Sequence, residues 1–210
     1  MSRLFLASNS PRRASLLTQL GLDFEVLTPQ IKEKRLQSGT DSQIVRAVRG
    51  NALQKALSVV ASLETGIVIS GDTLVITDQN KVLGKPITPT EAYQMLKELV
   101  GKKHRVISAT AVVKVESQET KIGHKWTKVT FKSATNNELQ EYLFTKEPIG
   151  KAGGYAIQGK GNMFVESIEG SYTGVIGLPI ELVVKFLQHF GVQTQYNPDL
   201  FICPGQNLKQ

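Results

Sequence analysis

Residues 3–21 read as a strand, a tight loop and a helix, and a unit of that kind points the chain toward the α/β folds. Leu4, Phe5, Leu6 and Ala7 form a brief apolar run of the length expected for a buried strand. Ser10 followed by Pro11 is a helix start, with the hydroxyl as N-cap and the proline at the first helical position, where its missing N–H costs nothing. Leu16, Leu17 and Leu20 continue the apolar pattern and Gly21 supplies a stop. A helix N-terminus leaves backbone N–H groups unpaired and carries a partial positive charge. With the Ser8 and Ser10 hydroxyls and the Arg12 and Arg13 guanidinium groups close by, this one can cradle an anion. Phosphate is the obvious one. Arginine's planar fork meets two phosphate oxygens at once, and adjacent arginines diverge by roughly 100° around a helix, so the pair can grip different parts of one ligand. The same unit also suits a capped surface helix with solvated arginines, and spacing alone does not choose between them.

The 210 residues allow one large domain or two small ones. No repeat, low-complexity segment or linker divides them, so a single mixed α/β unit over residues 1–192 is expected, with a polar tail over 193–210. Lys and Arg outnumber Asp and Glu by 25 to 18, a formal +7 that favours polyanionic partners without choosing among them. The basic residues are scattered, so no nucleic-acid arm is evident. Cys203 is the only cysteine, which rules out an intramolecular disulfide and fits a reducing compartment. The apolar run at the start is too short for a signal-peptide core, and no run approaches the ~18 residues of a membrane span, so a cytoplasmic protein without membrane contact is expected.

Downstream, residues 24–27 suit a short strand and residues 30–39 a polar stretch carrying Glu33. Thr40 and Gln43 have capping-box spacing ahead of a long amphipathic helix to about residue 62, whose polar side includes Arg46, Arg49, Asn51 and Lys55. A strand then ends at Gly71-Asp72-Thr73 and a second apolar run follows it. Asp72 interrupts a strongly β-favouring sequence beside a glycine, which admits a bulge with close ligand approach or a hairpin turn. Pro86 keeps Lys85 extended, so that it can reach inward. Further capping boxes at Thr88–Glu91 and Thr135–Glu138 open helices, with strands over residues 105–115 and 122–131 between them and His104 at a strand edge. The glycine-rich loop over 147–161 is long enough to be functional. A strand over 164–168 and a helix after Pro179 complete the pattern.

The polar residues that stand out are Ser8, Arg12, Arg13, Glu33, Lys55, Asp72, Lys85, Lys151 and Gln158, and together they suit a nucleoside triphosphate. Cations and helix N–H groups would hold phosphates, and two carboxylates would hold a hard divalent cation and position water. There is no P-loop and no Gly-x-Gly-x-x-Gly after a strand. Spacing alone leaves the reaction undecided.

Several ordered stretches resemble the Maf family of nucleotide pyrophosphatases. They are Leu6-Ala7-Ser8-Asn9-Ser10-Pro11-Arg12-Arg13, Lys55-Ala56, Gly71-Asp72-Thr73 with Leu83-Gly84-Lys85-Pro86, Glu147-Pro148 with Lys151-Ala152-Gly153-Gly154-Tyr155-Ala156-Ile157-Gln158-Gly159, and Gly177-Leu178-Pro179. The resemblance implies a mixed elongated sheet with flanking helices and two lobes around a central cleft. It implies hydrolysis of a nucleoside triphosphate to the monophosphate and pyrophosphate with Mg²⁺ or Mn²⁺, commonly by a homodimer. It assigns Asp72 as proton acceptor, Glu33 as its partner in metal binding, and Ser8, Arg13, Lys55 and Lys85 as phosphate-holding positions, with Asp72, Glu33 and Lys85 forming the catalytic set. Arg12, Thr73 and Gln158 resemble the branch that acts on dTTP and UTP rather than the branch that prefers 7-methyl-GTP. An amide at Gln158 can donate and accept, which suits a pyrimidine edge. The departures are Ser70-Gly71, where the family reads glycine-alanine, and Gly154 in place of alanine. Glycine beside Asp72 would loosen the backbone by about 0.5–1 kcal/mol. A nucleotide-binding regulator of division without turnover, and a pyrophosphatase for non-standard purine nucleotides, are the rival readings.

Overall fold

The protein is described here by a computed structural model covering residues 2–34 and 36–201; Cys203 lies outside the described residues. The opening strand and helix form where the sequence predicts them, except that the Ser10 hydroxyl makes no capping bond. β1 (Leu4–Ala7) is buried throughout, and α1 (Pro11–Gln19) starts behind Ser10 with proline in its first turn. β2 (Glu25–Leu27) returns parallel to β1. α2 (Asp41–Val60) is capped by Thr40, whose side chain accepts from the Gln43 N–H while the Gln43 amide oxygen accepts from the Thr40 N–H. β3 (Ile67–Thr77) pairs parallel to β1 on its other side. There follow β4 (Val82–Leu83), α3 (Pro89–Leu99), β5 (Lys103–Lys114), β6 (Thr120–Phe131), α4 (Asn136–Phe144), β7 (Val165–Glu169), α5 (Tyr172–Ile176) and α6 (Ile180–His189).

These strands make one seven-stranded mixed sheet in the order β2-β1-β3-β5-β6-β7, with β4 paired antiparallel to β3. Apolar side chains alternate across it, as the period of a strand requires. Along β3, Val68 and Ile76 pack with α2 residues such as Ala56 and Val48, whereas Ile67, Ile69 and Val75 join the larger core built with Leu16, Leu17, Leu96 and Val183. No helix among the described residues is long and apolar enough to cross a membrane.

Three local expectations are revised. Gly71-Asp72-Thr73 forms neither a bulge nor a turn; β3 runs straight through it, in unbroken register with Thr110, Ala109 and Ser108 of β5. The neighbouring ladder supplies the hydrogen bonds, so a strand tolerates the carboxylate provided that the side chain finds partners. His104 is inside β5 rather than at its edge and is buried. The short helix α5 was not expected at all. It is nucleated by Ser171, whose hydroxyl accepts from the Gly174 N–H.

The topology places an opening where function can use it. From β1 the chain crosses through α1 to β2 on one side and then through α2 to β3 on the other, so β1 sits at a topological switch point, where α/β sheets bind ligands. β1 stops at Ala7, opposite Ser70, and β4 pairs with β3 only from Val75 onward. Between those limits, β3 has no strand partner among the described residues on that side, and this interval carries Gly71, Asp72, Thr73 and Leu74.

Candidate active site

Through this gap, side chains from both faces of the sheet approach one cleft of about 330 Å³, at the low end for small-molecule sites. Alternation along β3 sends neighbouring residues to opposite walls. Thr73 joins the α1 side and Asp72 the α2 side.

On the first wall, Arg13 is buried and anchored at three points. Its Nε donates to the Gly177 carbonyl at 2.7 Å, one terminal nitrogen to Ser8 Oγ at 3.1 Å and the other to Thr73 Oγ1 at 3.3 Å. Thr73 Oγ1 lies 2.7 Å from Ser108 Oγ, which in turn donates to the Gly174 carbonyl at 2.6 Å. A guanidinium held this way stays charged although burial pulls its pKa below the usual value, against the pull of Asp72. Arg12, more exposed, donates its Nε to the Ile176 carbonyl at 3.3 Å. Ser8 also accepts from the Ser10 N–H, and the Ser10 side chain makes no capping bond.

The second wall is built around Lys55. Its ammonium lies 2.7 Å from Glu33 Oε1 and 2.7 Å from Asp72 Oδ1. Asp72 Oδ2 accepts from the Asn51 amide at 3.0 Å. Lys85 stands farther out, 3.9 Å from Glu33. Burial alone would raise the Glu33 carboxyl, but the hydrogen bond and charge of Lys55, with Lys85 and Arg13 behind it, outweigh burial and hold it below the ordinary range.

Of the residues singled out in the sequence, Ser8, Arg12, Arg13, Glu33, Lys55, Thr73 and Lys85 all line the cleft. Asp72 does not line it directly; at 3% exposure it sits behind Lys55. Gln158 is exposed, one residue beyond Ile157, which does form part of the wall. Lys151 turns back to donate to the Glu147 carbonyl. The rest of the wall is more apolar: Pro29, Ile31, Val75, Ala152, Tyr155 and Val175 among others. Two carboxylates already converge on a single ammonium, and phosphate oxygens would complete an all-oxygen set. That donor chemistry fits a hard divalent cation, which commonly takes one or two carboxylates plus substrate phosphates. No cluster of three or more acidic, histidine or cysteine side chains suited to a metal occurs among the described residues.

Residues 3–190 match the family model described as Maf-like protein. The chain belongs to the Maf family. Among its relatives, the dTTP/UTP pyrophosphatase of Pelotomaculum thermopropionicum is 40% identical over 191 residues, covering 91% of this chain and 98% of that protein. The dTTP/UTP pyrophosphatase of Alkaliphilus oremlandii is 43% identical over 194 residues, with 91% and 98% covered. That of Desulforamulus reducens is 40% identical over 193 residues, with 92% and 99% covered. The stretches that resemble Maf motifs are thus brought together around the gap in the sheet: Ser8–Arg13, Lys55, Asp72-Thr73, Lys85 and part of the glycine-rich loop after α4.

Three residues supporting this Maf cleft were given no role in the sequence reading. Asn51 lies one helical turn before Lys55, so the i, i+4 spacing on α2 could have signalled it. Ser108 stands on the same face of the sheet as Thr73, opposite it in the β3–β5 register, which a sequence does not reveal. Glu147 accepts from the Tyr142 hydroxyl at 2.8 Å and from the Gly161 and Lys160 N–H groups at 3.0 and 3.1 Å, tying both ends of the glycine-rich loop together.

Proposed function

We propose that this chain is a nucleoside triphosphate pyrophosphatase acting on dTTP and UTP. The observation that carries the reading is the convergence, in one cleft, of an anchored cationic wall with two carboxylates meeting at one ammonium. Holding a triphosphate requires the cations. A base that activates water is needed only for turnover, and Asp72 beside the cationic set favours hydrolysis over simple binding. The pyrimidine preference follows the names of the relatives and the branch-like residues Arg12, Thr73 and Gln158.

In this reading, Ser8, Arg13 and the start of α1 receive phosphate oxygens from one side, with Lys55 and Lys85 meeting them from the other. When Lys55 exchanges a carboxylate for a phosphate oxygen, Asp72 Oδ1 becomes free to accept a proton from water, while the Asn51 amide still holds Oδ2. The water oxygen bonds to the α-phosphorus, its proton passes to Asp72, and the bond to the bridging oxygen breaks, releasing pyrophosphate with that electron pair. Arg13 and Lys85 stabilise the charge that builds on the phosphate oxygens. Glu33 and Asp72 would hold Mg²⁺ or Mn²⁺, which when bound neutralises phosphate charge and lowers the pKa of bound water. A homodimer, on the strength of the family resemblance, and a cytoplasmic site of action, supported by the single cysteine and the lack of a long apolar run, complete the proposal.

A panel of nucleoside triphosphates with Mg²⁺ or Mn²⁺ tests it. Pyrophosphate release should be fastest with dTTP and UTP and should fall by at least ~10²-fold in Asp72→Asn. Clear preference for non-standard purine nucleotides would refute the base assignment. Tight binding without release would leave only a nucleotide-binding regulator.

A further inference from the structure

Asn51 lies on α2, one turn before Lys55, and is 3% exposed. Its amide is fully engaged, and every partner belongs to the acidic wall. Nδ2 donates to Asp72 Oδ2 at 3.0 Å and to the Lys34 carbonyl at 3.1 Å, while Oδ1 accepts from the Lys34 N–H at 2.9 Å. An asparagine offers two donors and one carbonyl acceptor, so a single side chain satisfies a carboxylate and both backbone groups of one residue. Lys34 is the residue directly after Glu33, in a stretch between β2 and α2 whose described residues form no helix or strand.

We propose that Asn51 is a positioning residue that registers the Glu33 segment against Asp72, so that the two carboxylates meet at Lys55. This rests on the catalytic reading of Asp72 and Glu33 given above. Asp72 is held at both oxygens by different partners, Lys55 on one and Asn51 on the other, which fixes the plane of the carboxylate. Glu33 has a flexible side chain that is 36% exposed, so its place depends on its backbone, and the Lys34 clamp anchors that backbone to the same amide. Asn51 and Lys55 thus act as a pair on one helix face: the amide sets the spacing of the acids and the ammonium occupies the point between them. Leucine would match the volume but strand Asp72 Oδ2 and both Lys34 backbone groups. Aspartate would keep the acceptor for the Lys34 N–H while placing a like charge against Asp72.

The test compares Asn51→Leu and Asn51→Asp with the parent and with Asp72→Asn, reading UTP hydrolysis with Mg²⁺, thermal unfolding, and hydrogen exchange at the Lys34 amide in nucleotide-free protein. Both Asn51 variants should lose ~10–100-fold in kcat, the range for groups that orient a reacting residue. KM for UTP should move less than about threefold, because the cationic wall is untouched. The Lys34 amide should exchange faster in Asn51→Leu, which removes its acceptor, and stay near the parent rate in Asn51→Asp, which keeps it. Asn51→Ser, a milder truncation, carries the same readouts should the leucine variant fail to fold. Parent-like kcat in either variant, or a fall in kcat with Lys34 exchange unchanged in Asn51→Leu, would overturn the registering role. An active Asp72→Asn enzyme would remove the catalytic reading beneath it, whereas an inactive Asp72→Asn beside a parent-like Asn51→Leu would remove the positioning role alone.

Discussion

Asp72 and Lys55 show how one pair of residues serves both the fold and the site. Each side chain is about 5% exposed, so neither charge is tolerable there without the other. Removing one partner of such a pair costs about 3–5 kcal/mol, chiefly because the survivor is left bare. From the sequence, Asp72 was legible as an anomaly in an apolar run, since a carboxylate there must find partners. That its partners would be Lys55 and Asn51, rather than water in a turn, depended on α2 crossing β3 at that level, and no local pattern encodes the crossing. His104 was less legible still, because one histidine near a strand end gives no hint of its depth. It is buried against Phe131, with its Nε2 2.9 Å from the Tyr155 hydroxyl, and Tyr155 lines the cleft. Burial pushes its pKa from 6.5 down to about 4, so between those values the unfolded chain binds a proton that the folded chain refuses. The stability from neutral His104 is therefore complete above about pH 6.5 and is lost progressively as pH falls toward 4, by up to roughly 3 kcal/mol. Denaturant unfolding across pH 4–7 should show this loss, with a shallower slope in His104→Gln than in the parent. Equal slopes would mean that His104 titrates normally in the folded state.

Elements with strong local punctuation were read nearly to the residue. The capping boxes before α2 and α4 form as spaced, with both reciprocal bonds present. At α3 only half of the box closes: the Thr88 hydroxyl accepts from the Glu91 N–H, but the Glu91 carboxylate turns to the Ile87 N–H instead. The glycine beside Asp72 has a different reason from the loosening expected of it. A Cβ at Gly71 would lie 3.0 Å from the Ala109 carbonyl oxygen and 3.0 Å from Leu178 Cδ1, with Arg13 Nε at 3.3 Å, so the missing methyl makes room for Arg13 and for the neighbouring strand. The loop over residues 147–161 had no periodicity to read, yet one carboxylate ties its two ends together while the Gly150 and Gly153 N–H groups donate to the Pro86 and Gly84 carbonyls. Glu147 gathers the Tyr142 hydroxyl and two backbone N–H groups, and the loop between them presents Gly150, Ala152, Tyr155, Ala156 and Ile157 to the cleft. Glu147→Ala should therefore raise KM for UTP about tenfold and lower stability by about 1–3 kcal/mol, as expected when buried donors lose their acceptor. Steady-state kinetics with a thermal melt checks this; an unchanged KM would show that the loop keeps its shape without the clamp.

At the scale of the molecule, the class of fold was legible because apolar runs and capped amphipathic stretches alternate along the chain. The seven-stranded sheet flanked by helices bears that out. Strand order was not legible. The gap that opens the cleft arises because β1 ends at Ala7 while β3 continues to Thr77, a length difference that acquires meaning only once the two strands are known to pair. Through that gap a helix start on one face and a lysine from the other reach the same space, which on the proposed function would let an anion cradle and an acid pair act on one ligand. Hydrolysis of UTP in ¹⁸O-labelled water is the most direct measurement of this account. The label should appear in UMP, with unlabelled pyrophosphate as the other product, and turnover should collapse in Asp72→Asn. Release of UDP and labelled inorganic phosphate, or undiminished turnover in Asp72→Asn, would contradict it.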